Sequence, residues 1–398
     1  MEAPLNILIV ATKPPWPPVD GGRVVMLQTI DALAAAGHRL TVVSPCDPGA
    51  DDARVREQLS TRCRAELVAD RPRSARRMLV TSIFGRRPVT VVRHDLERVR
   101  RRVAELVDAE TFDVVQAEQV QAIPQTRPAT SRGIPLVYRA HNVESALWTF
   151  AAGFGRPVTA RLLRREAKRL SVWERTVVQH ASATVVLTDV DVAPLRLAVG
   201  DGPLIEKVPI PYPETLPSGE IPLEGRPAVV TLTSRTWLPS KESARQVAEV
   251  WWPVVRERLP DAVLHVFGAG PETGDRDGVR NHAPPEDSIE AFAAGAIVAI
   301  PTRHPTGVPV KGLEAWSRGL PLVVSSEAAQ ALEGSDGVDV VTADSPGALA
   351  TVLAALADDR ELRDRMVAGG RKRLRTHHDP KLIAEQLADL YRRVSSQT

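Results

Sequence analysis

Lys311 and Glu314 stand three residues apart behind a loop that holds Arg303, Pro305, Thr306 and Gly307. In a helix that spacing sets a cation and a carboxylate on one face. A helix opening near Val308 turns its free backbone N–H groups toward the loop, where the helix dipole and the unpaired donors favour phosphate. Glu314, about two turns on, reaches hydroxyls. The chemistry on offer is an anion site beside a sugar ring, with Arg303 at the strand end facing the same ligand. A surface ion pair between Lys311 and Glu314 is the plainer alternative.

Arg235 and Lys241 flank 236–240, just after another apolar run. Two cations converging from a loop can neutralise a diphosphate whose charge grows as a bond to it breaks, and a solvated surface pair is the other possibility. His141 follows an apolar run at 136–139, and the carboxyl ends of parallel strands are where open sheets place ligands. Gly21 and Gly22 lie between a strand and a helix, where a missing side chain lets backbone approach a ligand or simply makes a turn. Trp16, among Pro14, Pro15, Pro17 and Pro18, serves either as an acceptor platform or as cover for a sheet edge.

The elements that must hold these residues are strands alternating with helices. Short apolar runs at 6–11, 40–44, 113–117, 136–139 and 183–188 are separated by helical patterns, which implies a parallel sheet covered on both faces. A helix over 23–36 ends at Gly37, a residue suited to a left-handed cap. Between 207 and 227 the pattern stops and prolines 209, 211, 213, 217, 222 and 227 take over. Alternation restarts at 228–232, 263–267, 297–300, 321–325 and 338–341. The expected architecture is α/β: two Rossmann-like parallel-sheet domains, 1–208 and 228–376, joined by a Pro-rich linker at 209–227 and facing each other across a cleft. A C-terminal helix within 377–398 could return to the first domain.

The chain has 398 residues, enough for two domains, and 43% of them are hydrophobic, enough for two cores. Net charge is +2, from 51 basic against 49 acidic residues, which does not indicate nucleic-acid binding. Cys46 and Cys63 are the two cysteines, too few for a disulfide framework, and they suit a reducing cytosol. No signal segment is expected before the first strand, and no apolar run approaches the roughly 20 residues needed to span a bilayer. A cytoplasmic protein is the expectation. The segment from Arg71 to Arg102 is rich in arginine with Met78, Leu79, Ile83 and Phe84 between, so it is either a peripheral membrane contact or a solvated face.

Several segments together resemble the GT-B glycosyltransferases of the large retaining family often called family 4. They are ILIVATKPPWPPVDGGRVVMLQTIDALAAAGHRLTVVS, FDVVQAE, YRAHNVES, ATVVLTDVDVAPL, the pair Trp237 and Pro239, LHVFGAG and KGLEAWSRGLPLVVSS, and they fall in the family's order over nearly the whole chain. The bacterial branch with HNVES, whose members make surface polysaccharides or related glycosides, is the nearest. The resemblance implies a hexosyl-type transferase that moves sugar from a nucleotide diphosphate sugar to a saccharide, a lipid-linked glycan or a small natural product, with retention of configuration and no metal or other cofactor. His141 is implied to orient the donor sugar, Arg235 and Lys241 to stabilise the departing diphosphate, and Gly21 and Gly22 to line the cleft. Thr306 and Gly307 are implied to approach the diphosphate, Glu314 to accept hydrogen bonds from the ribose, and the backbone of 280–285 to read the base.

The departures are specific. Many members carry two glutamates spaced as Thr306 and Glu314 are, so the first carboxylate is replaced by threonine; Pro211 and Tyr212 stand where Asn-Gly is frequent. A nucleotide-sugar epimerase or hydrolase on the same fold, or a non-catalytic relative that only binds nucleotide sugar, are the competing functions. Asp189 and Asp191 form a D-x-D, but Asp189 suits an N-cap better than a metal. Gly268, Gly270 and Gly274 miss the dinucleotide spacing, and His377 and His378 lack further zinc ligands nearby.

Overall fold

The computed structural model describes residues 3–47, 52–71, 78, 85, 87–233, 238–268, 274–285, 287–301 and 306–396. Its contacts divide the chain into two units, Met1–Pro211 with Pro380–Thr398, and Tyr212–Asp379. Each is a parallel sheet wrapped by helices, as the alternation predicts.

In the first unit the strands are β1 (Asn6–Val10), β2 (Arg39–Cys46), β3 (Arg64–Ala69), β4 (Val114–Glu118), β5 (Leu136–Ala140), β6 (Ala183–Val186) and β7 (Ile205–Lys207). Their order is β3-β2-β1-β4-β5-β6-β7, with Ile7 opposite Leu40 on one side and Val114 on the other. The helices are α1 (Gly21–Ala35), α2 (Asp52–Leu59), α3 (Val89–His94), α4 (Glu97–Ala109), α5 (Ile123–Thr130), α6 (Glu144–Ala152), α7 (Pro157–His180) and α8 (Asp189–Val199). Alternate residues of β1 feed opposite cores. Ile7 and Ile9 join a cluster with Leu27, Ile30 and Leu33 of α1, while Leu8 and Val10 join one with Val99, Val103 and Leu106 of α4. Burial on both faces is why the strand reads as an unbroken apolar run.

The second unit contains β8 (Ala228–Leu232), β9 (Val263–Phe267), β10 (Val279–His282), β11 (Ile297–Ile300), β12 (Leu322–Val324) and β13 (Val341–Thr342), in the order β10-β9-β8-β11-β12-β13. Its helices are α9 (Leu238–Gln246), running through a π turn into α10 (Trp252–Arg258), then α11 (Val310–Ser317), α12 (Ser326–Ala331), α13 (Pro346–Asp358) and α14 (Arg360–His377). The final helix, α15 (Pro380–Ser395), belongs to the first unit. Its Ile383, Leu387, Leu390, Tyr391 and Val394 recur at helical spacing and complete the core under α1, β4 and β5.

Three strands escape the sequence reading, β3, β7 and β10, and all three are edge strands. RAELVA, IEK and VRNH carry charges because an edge is only half covered, which erases the apolar signature. The segment 212–227 is no free tether. Pro213 O accepts from Ser317 Oγ at 2.7 Å, Leu216 N donates to Ser317 O at 2.9 Å, and Arg318 donates to Pro217 O. No helix among the described residues is long and apolar enough to cross a membrane.

Candidate active site

In each sheet the chain reverses its direction of growth at one place, between β1 and β4 in the first and between β8 and β11 in the second. Loops leaving such a switch point diverge, and the crevice between them is the usual ligand site of an open α/β sheet. Among the described residues, Gly22 and His141 lie at the first of these places, and Thr306, Gly307 and Lys311 at the second.

At the first, Thr12 follows β1 and Gln119 follows β4, and Thr12 Oγ1 donates to Gln119 Oε1 at 3.4 Å. Gln119 has a positive φ of 71°, which turns its side chain away from the strand's course. Its Nε2 lies 3.5 Å from His141 Nδ1 at the end of β5, and it would meet a Cβ built on Gly22 at 3.3 Å. Gly22 and His141 are therefore brought together by a glutamine. Both glycines sit in the first turn of α1 and not in a loop, because Asp20 caps that helix by accepting from Arg23 N at 3.1 Å and is itself held by Lys13 at 2.7 Å.

His141 is buried, and its Nε2 donates to Glu118 Oε2 at 2.5 Å. That bond fixes the tautomer and leaves Nδ1 as the acceptor that Gln119 approaches. Glu118 is 1% exposed, and its other oxygen accepts from Gln116 Nε2 at 2.6 Å, with Arg139 Nη1 at 3.9 Å. Burial pushes its carboxyl up, but His141, Arg139 and Gln116 outweigh that and hold it below the usual range, so it stays ionised. Gln116 in turn accepts from the Tyr391 hydroxyl of α15, and Arg139 donates to Thr29 Oγ1 of α1. Glu118, Gln116, Arg139 and Tyr391 are the functional neighbours that sequence reasoning missed; FDVVQAE contains two of them, but only the register of β4 against β5 aims Glu118 at His141.

Beside this network, the backbone N–H groups of Glu144 and Ser145 that open α6 donate to the Glu174 carboxylate at 2.6 and 3.1 Å. Glu144 accepts from Gln121 and Trp148, and burial, together with the charge of Glu174, pushes its carboxyl up to about 7. Trp16 packs half-buried against the core with Arg54 stacked 5.2 Å from its ring centre, so it covers the sheet.

At the second switch point Thr306 and Gly307 are buried, and Gly307 has a φ of 73°, a backbone state that favours glycine. The helix starts at Val310 and not near Val308, because Pro309 takes an extended ψ of 84° as its cap. No side chain caps this helix and no acid occupies its first turn. Lys311 is half-buried, and its ammonium donates to Leu232 O at the end of β8, spanning the switch point. Burial pushes its pKa down to about 8, with Glu314 opposing the shift.

Glu314 does not pair with Lys311. Its Oε1 accepts from Ser288 Oγ at 2.6 Å and from Arg318 Nε and Nη2 at 2.9 and 2.8 Å, while Oε2 has no hydrogen-bond partner among the described residues. Arg318 lies 5.5 Å from the ring centre of Phe292, which immobilises the carboxylate further. Gly312 is glycine for packing, since a Cβ there would meet Leu332 Cδ1 at 2.8 Å. Tyr212 is buried near enough for Glu314, after burial itself, to help hold its phenol well above the ordinary range.

Lys241 is exposed in the first part of α9, a helix and not the loop expected. Arg235 and Arg303 lie outside the described residues. At the edge of this sheet His282 stacks on Phe267 with ring centres 4.3 Å apart and bonds His265 across 3.0 Å, beside the 280–285 backbone.

Two family models match in sequence. Residues 20–212 match a glycosyl transferase 4-like domain, and residues 245–389 match a glycosyl transferase-like domain. The chain belongs to the GT-B glycosyltransferases. No curated protein sequence matches this glycosyltransferase. Among solved structures, sucrose-phosphate synthase from Thermosynechococcus elongatus is 16% identical, with a TM-score of 0.71 over 99% of this chain and 100% of that one. HepE of Anabaena, solved with UDP-glucose, is 14% identical, with a TM-score of 0.65 over 97% and 98%. A mutant of S. aureus TarM, in complex with fondaparinux, α-GlcNAc-glycerol and UDP, is 8% identical, with a TM-score of 0.66 over 97% and 100%. At these identities the likeness is one of fold.

Other expectations are corrected by the geometry. Thr188, and not Asp189, is the N-cap of α8; Asp189 pairs with Lys207 at 2.7 Å and Asp191 accepts from Thr188 Oγ1 at 2.7 Å, so the two carboxylates serve different partners. In the basic segment, Arg71 pairs with Asp47, Arg87 with Asp95, Arg100 with Asp95 and Glu97, and Arg102 with Glu66 and Glu105. Positions 72–77, 79–84 and 86 of that segment lie outside the described residues.

Proposed function

We propose that the chain transfers a hexosyl group from a nucleotide diphosphate sugar to an acceptor hydroxyl, with retention of configuration, in the building of a glycan or glycoside. The observation that carries this is Glu314. One carboxylate oxygen is anchored by Ser288 and Arg318 while the other is left to accept ribose hydroxyls, and Lys311 with the uncapped start of α11 stands beside it for the diphosphate. Thr306 and Gly307 approach the same phosphates through the loop, and Lys241, Arg235 and Arg303 add cations for the charge that grows as the glycosidic bond breaks. Gly21 and Gly22 keep the start of α1 open beside His141.

His141 orients the donor sugar through Nδ1, with Glu118 holding the ring. The UDP-glucose complex of HepE supports a uridine diphosphate sugar as donor, and retention is proposed on the family resemblance alone. The fondaparinux of the TarM complex supports a saccharide acceptor.

Thermal shifts with UDP, GDP, ADP and TDP, followed by donor turnover in Lys241→Ala and Glu314→Ala, test the assignment. A saturating nucleotide should raise stability by about 2–4 kcal/mol, and Glu314→Ala should abolish most of that. No stabilisation by any nucleotide removes the donor site. Binding without turnover under every acceptor tried identifies a non-catalytic relative, and turnover without acceptor identifies a hydrolase or epimerase.

A further inference from the structure

Helix α7 carries a stripe of exposed basic and aliphatic residues. Val158, Arg161, Arg165, Lys168, Val172 and Arg175 step by alternate threes and fours, so they share one side of the helix, and all are exposed. Leu162 and, in the turn before the helix, Phe154 flank them. Val158 is 75% exposed, Val172 57%, Leu162 45% and Phe154 39%, so each offers apolar surface to water, Phe154 beside the Phe150 ring 5.1 Å away.

The charge on this side is of one sign. Between Ser145 and Thr188 the acidic residues are Glu166 and Glu174, and both point inward. Glu174 is consumed by the start of α6, and Glu166 accepts from Val89 N and pairs with Arg169 at 3.5 Å.

Exposed aliphatic side chains scattered singly are ordinary on a solvated face. Phe154, Val158 and Leu162, however, stand about one turn apart at one end of a basic helix face, and a reader of soluble polyanions gains nothing from such a group. An interfacial helix needs both: aliphatic residues that enter the acyl boundary, and Lys and Arg stems that extend outward to lipid phosphates. We propose that the exposed face of α7 docks on an anionic lipid bilayer. The surface is read from charge and shape alone and does not depend on the sugar-transfer function.

Sedimentation of the full chain with phosphatidylcholine vesicles, with and without a substantial fraction of phosphatidylglycerol, tests this without any turnover. The chain should bind the phosphatidylglycerol vesicles and release in high salt. The triple variant Arg161→Glu, Arg165→Glu, Lys168→Glu should bind roughly tenfold or more weakly. Because every position is exposed, thermal unfolding of the variants should match the parent. Val158→Ser with Leu162→Ser and Val172→Ser should weaken vesicle binding while leaving heparin binding unchanged. Failure to bind anionic vesicles, or a charge-reversed variant that binds like the parent, overturns the proposal. Vesicle binding that is indifferent to the three serines and competed fully by heparin overturns it in favour of a soluble polyanion.

Discussion

At the scale of the residue, two side chains anchor the proposed site, and each is placed by what surrounds it. His141 is held by a carboxylate that is itself held by Arg139 and Gln116. Replacing Glu118 by Gln removes the anion and strands the buried guanidinium, so stability should fall by about 3–5 kcal/mol and transfer by about a hundredfold through loss of orientation. Tyr391→Phe separates the two effects: it removes only the far hydroxyl, costs about 1 kcal/mol, and should change the rate by only a few fold. A rate for Glu118→Gln close to the parent's, measured on the folded fraction, would show that the pair is structural. On the proposed reading, in which its ammonium meets the donor diphosphate, Lys311 should act as a pH gate. Burial lowers its pKa to about 8, so the cation that meets the diphosphate is lost as pH rises through that value. UDP affinity should fall by up to about tenfold per pH unit above about 8, and in Lys311→Met that falling limb should vanish. The same depression means that protonated Lys311 opposes folding below about 8, and stability should climb between about 8 and 10.5.

At the scale of the element, glycines determine how closely α11 can sit in its unit, and hence where Glu314 points. A Cβ on Gly370 of α14 would meet Trp316 Cδ1 at 2.3 Å, and Trp316 is fully buried with its indole N–H donating to Asp339 O at 2.8 Å. The ring cannot yield. Gly370→Ala should destabilise by about 1–3 kcal/mol despite the roughly 1 kcal/mol that alanine gains in a helix. Gly347 in α13 has nothing within 4 Å of a built Cβ, so Gly347→Ala should instead stabilise by up to about 1 kcal/mol. Calorimetry of the two variants checks the argument, and equal effects would refute it. Helix starts were less legible than helix faces. The sequence places the start of α11 near Val308, but the non-helical ψ of 84° at Pro309 delays the helix to Val310.

At the scale of the whole molecule, the chain leaves its first unit at Pro211 and returns to it at Pro380. Ile383, Leu387, Leu390, Tyr391 and Val394 are each at most 1% exposed, and burying each contributes about 2 kcal/mol. Together that is about 10 kcal/mol, comparable to the entire stability of a domain. A chain ending at Asp379 should therefore lose the folded first unit, read as protease sensitivity confined to residues before 211, while the second keeps its nucleotide-induced thermal shift. The sequence by itself determined the alternation of buried strands and helices, and with it the two parallel sheets, because strands covered on both faces must be apolar along their whole length. It also determined the helix that carries Glu314, since that signal is local. The edge strands β3, β7 and β10 stayed hidden because half-covered strands tolerate charge. Tertiary structure alone decided which polar groups become partners. Tyr391 and Gln116 are 275 residues apart, and no spacing could have shown that the last helix helps hold the histidine. Local patterns report which face of an element is buried; what that face meets depends on how the elements pack.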